Sequence, residues 1–301
     1  MNICCVIVCY RPAIQPLLDL CAGVLTGNTK AIVVDNTETP YLTASQLPAG
    51  CSLLTQGVNT GIARAQNVGI AAAIASGAEA LVFLDQDSRV TPGFLDALVS
   101  PLTPGCAEVT APLCVDDASG SELPSTRVSR FGISMAVYCG DRRKPYSVDV
   151  VISSGTAATK DVFQIAGAFD ESLFIDFVDT EWCLRCRDHG VPITVVPNAI
   201  MRHSIGNKSL NLGITTISVH SPIRCYYQIR NCFILFRRRH IPIIFATKQL
   251  VSVLVSRVLL LIFVKNRYTY VRAYASGLID GLLGIAGPKP VQVKPQKGPA
   301  P

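Results

Sequence analysis

Apolar and polar positions keep a regular rhythm through the first hundred residues. Short unbroken apolar runs alternate with stretches whose apolar residues recur at three- and four-residue spacing. Ile3–Cys9 is such a run, the pattern of a strand buried on both faces. Pro12–Leu25 carries leucines at helical spacing, and Pro12 suits a first helical turn. Ala31–Val34, Ser52–Leu54 and Ala80–Leu84 read as further strands. An alanine-rich helix is predicted over Ile62–Ser76, with Gly77 suited to its end. This βαβ order predicts an α/β fold, a mainly parallel sheet flanked by helices. Ligands of such sheets bind beyond the carboxyl ends of the strands. Asp35 and Asp85 both fall at such ends.

Beyond residue 100 the rhythm loosens. Val115–Tyr146 is polar, rich in Gly and Ser and charged over Asp141-Arg142-Arg143-Lys144, and reads as a long loop. Asp149–Ile152 restores order ahead of Ser153-Ser154-Gly155-Thr156. Helices are predicted near Asp161–Ala166 and over Asp179–His189, and a short strand over Ile193–Val196 closed by Pro197. Ile241–Val264 approaches the length of a bilayer span, but Lys248 and Arg257 interrupt it. On a helical wheel Lys248, Gln249, Ser252, Ser256 and Arg257 share one half. Leu250, Val251, Leu254, Val258, Leu261 and Ile262 fill most of the other, a pattern suited to lying in a membrane interface; a helix packed on the main domain is the alternative. The chain divides into halves at 1–100 and 101–221, a basic amphipathic helical region at 222–287, and a Pro/Lys-rich tail at 288–301 expected to be disordered.

Charge sharpens this division. The 301 residues carry a net charge of +6, with 27 Lys and Arg against 21 Asp and Glu. Residues 222–301 hold 13 of the basic side chains and one acid, Asp280, so the first 221 residues carry 14 basic and 20 acidic ones. A basic end on an acidic body suits an anionic partner. An anionic membrane surface fits the apolar helix, and a nucleic acid does not. The N-terminus has no basic stretch ahead of its apolar run, so it reads as a strand and not as a signal peptide. The twelve cysteines show no second CxxC to accompany Cys183–Cys186, and read as small core residues.

Several residues carry chemistry. Asp85 and Asp87, two residues apart after a strand, suit a hard divalent cation, which takes one or two carboxylates plus substrate phosphates. The segment from Asn59 through Thr60, Gly61 and Ile62 to Ala65 opens a helix whose free N–H groups would suit phosphate; ordinary capping is the alternative. It fits neither a dinucleotide nor a P-loop fingerprint. Asp179 sits where a helix begins, as a cap or as a base for a hydroxyl. His203 would serve as a further metal ligand beside two carboxylates.

Taken in order, Val8-Cys9-Tyr10-Arg11, Val34-Asp35-Asn36, Asn59-Thr60-Gly61-Ile62-Ala63, Asp85-Gln86-Asp87, Ser154-Gly155-Thr156, Phe174-Ile175-Asp176-Phe177-Val178-Asp179-Thr180-Glu181-Trp182 and His203 resemble the family 2 glycosyltransferases. Within them the chain looks most like bacterial rhamnosyltransferases of cell-surface polysaccharide assembly. Ser221-Pro222-x-Arg224-x-Tyr226-Tyr227-x-x-Arg230-Asn231 is also typical of that group. The resemblance covers about residues 3–235. It implies a GT-A fold and inverting transfer of a sugar, with dTDP-rhamnose as the expected donor. The acceptor would be lipid-linked or an oligosaccharide, and the enzyme would sit on the cytoplasmic face of a membrane. Tyr10, Arg11, Asp35, Asn36, Asn59, Gly61, Ala65, Asp85 and Gln86 would bind the nucleotide sugar. Asp85, Asp87 and His203 would hold Mg²⁺ or Mn²⁺, and Asp179 would be the base. Ser154, Gly155, Thr156, Glu181 and Trp182 would line the sugar or acceptor pocket. Val178 stands where the family usually has Glu, and Arg11 where many members have a small polar residue. Other readings are a different nucleotide sugar, a nucleotidyltransferase, or a non-catalytic binding protein.

Overall fold

The structure, a computed structural model, describes residues 1–117, 119–203, 209–211 and 216–289; the side chains of residues 203–218 lie outside that description. The tail expected to be disordered falls almost wholly on residues 290–301, also outside it. The elements run in order as β1 (Ile3–Cys9), α1 (Ile14–Val24), β2 (Lys30–Asp35), β3 (Cys51–Thr55), α2 (Ile62–Ala75), β4 (Ala80–Asp85), β5 (Arg89–Val90) and α3 (Phe94–Val99). Next come β6 (Val109–Asp116), β7 (Ser125–Val128), β8 (Ser134–Val137), β9 (Tyr146–Val148), β10 (Ala157–Thr159), α4 (Lys160–Ile165), α5 (Val178–Asp188) and β11 (Ile193–His203). The chain ends with β12 (Ser209–Asn211), β13 (Thr216–Ser218), α6 (Pro222–Leu235), α7 (Ile243–Phe263) and α8 (Arg267–Leu283).

One sheet of nine strands carries the molecule, in the order β3-β2-β1-β4-β10-β6-β11-β5, with β9 also on β11. The first four strands are parallel, β10 runs against β4 and β6, and β6 is parallel to β11. The apolar runs of β1 and β4 are buried on both faces because helices cover both. The chain crosses from the β1–β2–β3 side to β4 at β1. That reversal opens a crevice at the carboxyl ends of β1 and β4.

Two expectations are corrected here. Residues 115–146 are not only loop, because β7 and β8 pair as an antiparallel hairpin. Pro197 does not close its strand either. The pairing of β11 with β6 shifts register between Val196 and Ile200 and then continues to His203; an irregularity of this kind lets a strand absorb a proline.

The last three helices form their own apolar cluster around Cys225, Tyr226, Tyr227, Ile229, Leu260 and Tyr274. Helices α6 and α8 cross closely. A Cβ at Gly277 would meet the Tyr226 carbonyl at 2.8 Å, and one at Gly281 would meet the Phe233 ring at 2.5 Å. Helix α7 is long and apolar enough to cross a membrane by length and composition. Its polar half does not simply face solvent, however. Arg257 is buried on α6, its Nη1 lying 3.3 Å from Cys225 Sγ. All twelve cysteines are free and ten are buried, as suits small core residues. Cys183 and Cys186 lie in the main core, and burial pushes the Cys186 thiol up to about 12, so the pair has no thiolate for metal or redox work.

Candidate active site

The residues at the switch are drawn together by the strand register. Asp35 lies opposite Cys9 and Asp85 opposite Val8, so the two acids flank β1, about 10 Å apart at ordinary strand spacing. The Tyr10 backbone N–H donates to Gln86 Oε1 at 2.7 Å, tying the loop after β1 to the turn after β4. Arg11, held at a positive φ of 48°, donates its N–H to Thr37 Oγ1 at 2.8 Å. The Tyr10 hydroxyl and the Arg11 guanidinium both reach Glu38, at 3.0 and 3.2 Å. Burial first, and then the bond to Glu38, raise the Tyr10 phenol. Asp35 is buried, and its Oδ1 accepts from the Thr37 N–H at 3.0 Å. Its Oδ2 is buried beside the Cys9 thiol, with no hydrogen bond from a nitrogen or oxygen donor.

At the opening of α2 part of the expected set of free N–H groups is already engaged. Thr60 N–H goes to Asn36 Oδ1 (2.8 Å), Gly61 N–H to Asn59 Oδ1 (3.0 Å) and Ile62 N–H to the Phe174 carbonyl (2.8 Å). Asn36 is buried, and its amide also donates to Asn59 Oδ1 and the Gly61 carbonyl. Asn36 and Asn59 therefore hold the loop, and do not present themselves to a ligand. Gly61 has φ +85°, and a Cβ there would lie 2.6 Å from the Phe174 ring and carbonyl. Its role is close approach to the Phe174 segment. Ala65 is fully buried in the core under the sheet, which removes it from the binding set.

A cleft of about 590 Å³ opens beside this switch, lined by Asp85, Pro112, Ser125, Ser154, Asp179 and Arg224 among others. Asp85 is half-buried at its mouth, and Asp87 is exposed on the same turn. The turn is pinned from below, since Ser88 Oγ and Ser154 Oγ lie 2.9 Å apart and the Asp85 N–H donates to Ser88 Oγ at 3.0 Å. Ser154 thus reaches the cleft. Gly155 and Thr156 do not, and this corrects their assignment to a sugar pocket. Gly155 N–H donates to the Phe83 carbonyl (2.7 Å), and Thr156 is buried with its hydroxyl on the Ile152 carbonyl. A Cβ at Gly155 would strike Met201 Sδ at 2.6 Å. The side chain of His203 lies outside the described residues; its backbone closes β11 opposite Asp116. Among the described residues no group of three His, Cys, Asp or Glu gathers as a metal cage.

Asp179 stands in the first turn of α5, half-buried, with Oδ1 accepting from the Thr180 N–H at 2.7 Å. Burial pushes its carboxyl up, the Thr180 N–H pulls it down, and the nearby Asp176 pushes it up again, for a net rise. The segment before it is strained, with Phe174, Asp176 and Phe177 at φ 65°, 64° and 63°. One face of α6 holds this strain in place. Arg224 forks onto Asp176 at 3.0–3.1 Å, and Asn231 Nδ2 donates to the carbonyls of Leu173, Ile175 and Asp176 at 2.7–3.0 Å. Residues 224 and 231 lie two turns apart on that face. Burial opposes the Arg224 charge, but Asp176 and Asp85 more than offset it and raise its pKa.

Glu181 and Trp182 are corrections. Trp182 is buried between Phe163 and Phe169, its indole N–H on the Gly167 carbonyl at 3.0 Å. Glu181 is 1% exposed and is held by Arg185 at 2.9 Å and His240 at 2.8 Å. Burial alone would raise its carboxyl, yet His240 and Arg185 hold it below the ordinary value. Glu181→Gln should therefore show in stability more than in chemistry. It strands the Arg185 guanidinium and weakens the contact with His240, at a cost of about 3 kcal/mol. Urea unfolding at neutral pH measures it; unchanged stability would return Glu181 to the pocket.

Sequence reasoning missed Arg224, Asp176, Glu38 and Thr37 as site residues. The signal for Arg224 was present in the Ser221–Asn231 motif, whose Arg and Asn positions fall on one helix face. Glu38 left none, because only the fold brings it to Tyr10 and Arg11.

Comparison with known proteins shows the family and the fold. The family model described as glycosyl transferase family 2 matches residues 4–164. The dTDP-rhamnosyl transferase RfbF of Shigella flexneri is 36% identical over 288 residues, 95% of this chain and 97% of that one. TarS of S. aureus, solved with UDP-GlcNAc, superposes with a TM-score of 0.54 at 14% identity, covering 93% of this chain and 81% of that one. GalNAc-T7, solved with UDP, GalNAc and Mn²⁺, superposes at 0.53 and 15% identity over 68% of this chain, which spans only 44% of it. At such identities the two structures speak for the GT-A fold alone. The matched family model and the full-length relative place the chain in the family 2 glycosyl transferases, and it is a nucleotide-sugar glycosyltransferase.

Proposed function

We propose that the chain transfers L-rhamnose from dTDP-rhamnose, with inversion, to a hydroxyl of a lipid-linked or oligosaccharide acceptor in polysaccharide assembly. The observation that carries this is one cleft holding an acid at the β4 end, Asp85, and a carboxylate of raised pKa, Asp179. The 36% identical relative supports the donor. Asp35, at the end of β2, receives the nucleotide base, with Tyr10, Arg11 and Gln86 around it. Asp179 takes the proton of the acceptor hydroxyl as that oxygen attacks the anomeric carbon. Arg224, fixed by Asp176, lends positive charge to the same cleft.

Asp85 and Asp87 offer hard oxygen donors fit for Mg²⁺ or Mn²⁺, and too few to fill its shell, which leaves places for diphosphate oxygens. Such an ion supplies Lewis-acid neutralisation of charge on the leaving diphosphate. The enzyme works on the cytoplasmic face of a membrane, where its basic end meets anionic lipid.

The test is a panel of nucleotide sugars, dTDP-rhamnose first, scored for release of nucleoside diphosphate. dTDP release is expected, dependent on a divalent ion and lost with Asp85→Ala or Asp87→Ala. Pyrophosphate release would indicate nucleotidyl transfer. Full turnover under EDTA would remove the metal assignment.

A further inference from the structure

We infer that the β7–β8 hairpin tip and the outer stripe of α7 form one surface that docks on an anionic lipid bilayer. This deepens the reading of a membrane-held acceptor and rests on it. On α7, Ile244, Val251, Val255, Val258 and Ile262 are each 49–61% exposed. At about 100° per residue they fall within roughly 60° of one another. They make an aliphatic stripe facing solvent, while Arg257 packs inward. The inward face is otherwise apolar, through Phe245, Ala246 and Leu260, so the outer stripe is apolar surface beyond what packing on the body needs.

The hairpin continues that stripe. Its residues Phe131, Ile133 and Met135 are 50–59% exposed. Its turn packs on the start of α7, where a Cβ at Gly132 would lie 2.7 Å from Pro242 and 2.9 Å from the Phe245 nitrogen. Lys248 Nζ donates to Ser134 Oγ at 2.5 Å, fastening the two elements. The charge around the surface selects the occupant. Residues 123–140 and 222–279 contain no Asp or Glu. Arg130, Arg239, Lys248 and Lys265 are exposed along those segments, with Arg130 over the Phe131 ring at 4.5 Å. Anionic headgroups match this composition, whereas a second copy would set like charges against each other.

The same hairpin reaches the chemistry. Ser125 and Thr126 of β7 line the cleft, and Phe131 lies five residues further on in the hairpin turn, on the order of 15 Å along the chain at most. A bilayer touching the tip would thus present a lipid-linked acceptor within a short reach of Asp179.

The full-length chain is tested by flotation with vesicles of equal phosphatidylglycerol and phosphatidylcholine. Phe131→Ser/Ile133→Ser and Val251→Ser/Val258→Ser should each weaken partitioning roughly tenfold or more, while dTDP release with a water-soluble acceptor stays at the parent level. Raised salt should weaken binding without abolishing it. In Ile133→Trp, emission should shift to the blue on vesicles and be quenched by brominated acyl chains. Undiminished partitioning of the serine variants, or no spectral shift at residue 133, overturns the inference. So does a dimer in solution that Val255→Ser dissociates without any vesicle binding. Vesicle binding that the serine substitutions abolish, in a protein that turns over no dTDP-rhamnose, supports the surface and counts against the donor reading alone.

Discussion

Asp179→Asn is expected to lower turnover by about 10²–10⁴-fold, the worth of a positioned base, while donor affinity stays within a few-fold. The base acts as the acceptor hydroxyl attacks, so its removal should fall on kcat. The pH profile follows from the same environment. Burial, and then Asp176, raise the Asp179 carboxyl, so the ionised form is reached only above the ordinary aspartate range. The rate should fall as pH drops through that raised pKa, and the fall should vanish from the residual activity of the Asn variant. Stability gives an independent check. A carboxyl whose folded pKa exceeds its unfolded one binds more protons when folded, so stability declines as pH rises from the unfolded to the folded value. Asn keeps an oxygen for the Thr180 N–H and carries no charge to bury. The variant should therefore melt no lower than the parent at neutral pH. A collapse of melting temperature or of donor affinity with normal residual turnover would make Asp179 a structural cap.

The strands that position the site were legible because each is a continuous apolar run ending in an acid, as β2 ends in Asp35 and β4 in Asp85. Burial on both faces imposes that composition, and the parallel order follows from the intervening helices. The destination of individual polar groups was not legible. Asn36 and the α2 opening look like ligand groups, but the Phe174 carbonyl arrives from 112 residues away to take the Ile62 N–H, and spacing cannot foresee that. Glu181 misleads in the same way, because its partner His240 lies 59 residues away, in the turn between α6 and α7. In α7 the two halves of the wheel do not map onto inside and outside: Lys248 and Ser252 are exposed alongside Val251 and Val258, and Phe245, Ala246 and Leu260 share the buried face with Arg257. Arg257 turned inward to α6 and the aliphatic stripe outward.

Asn231→Ala should be among the most damaging single changes in the chain, although Asn231 touches no reacting group. Its amide is fully buried and donates to three carbonyls of the Leu173–Asp176 segment, while its Oδ1 accepts from Arg230 Nε at 2.9 Å and Nη2 at 2.7 Å. Truncation strips the Ile175 and Asp176 carbonyls of this donor and leaves a fully buried guanidinium short of an acceptor; Leu173 retains Arg230 at 2.9 Å. Each unsatisfied buried group costs about 1–3 kcal/mol, more when charged, so a loss of about 4 kcal/mol or more is expected. The loss should reach function as well. Phe174, Asp176 and Phe177 sit at positive φ, a conformation that costs on the order of 1 kcal/mol or more per residue and persists only where its surroundings impose it. With the clamp gone the segment relaxes, and Asp179, two residues beyond it, loses its aim into the cleft. Asn231→Asp discriminates the two duties, since it restores an acceptor for Arg230 but supplies no donor. It should recover part of the stability and little of the turnover. Urea unfolding combined with hydrogen exchange at residues 174–177 reads both. A change below about 1 kcal/mol with unaltered exchange would mean that the strained loop holds itself.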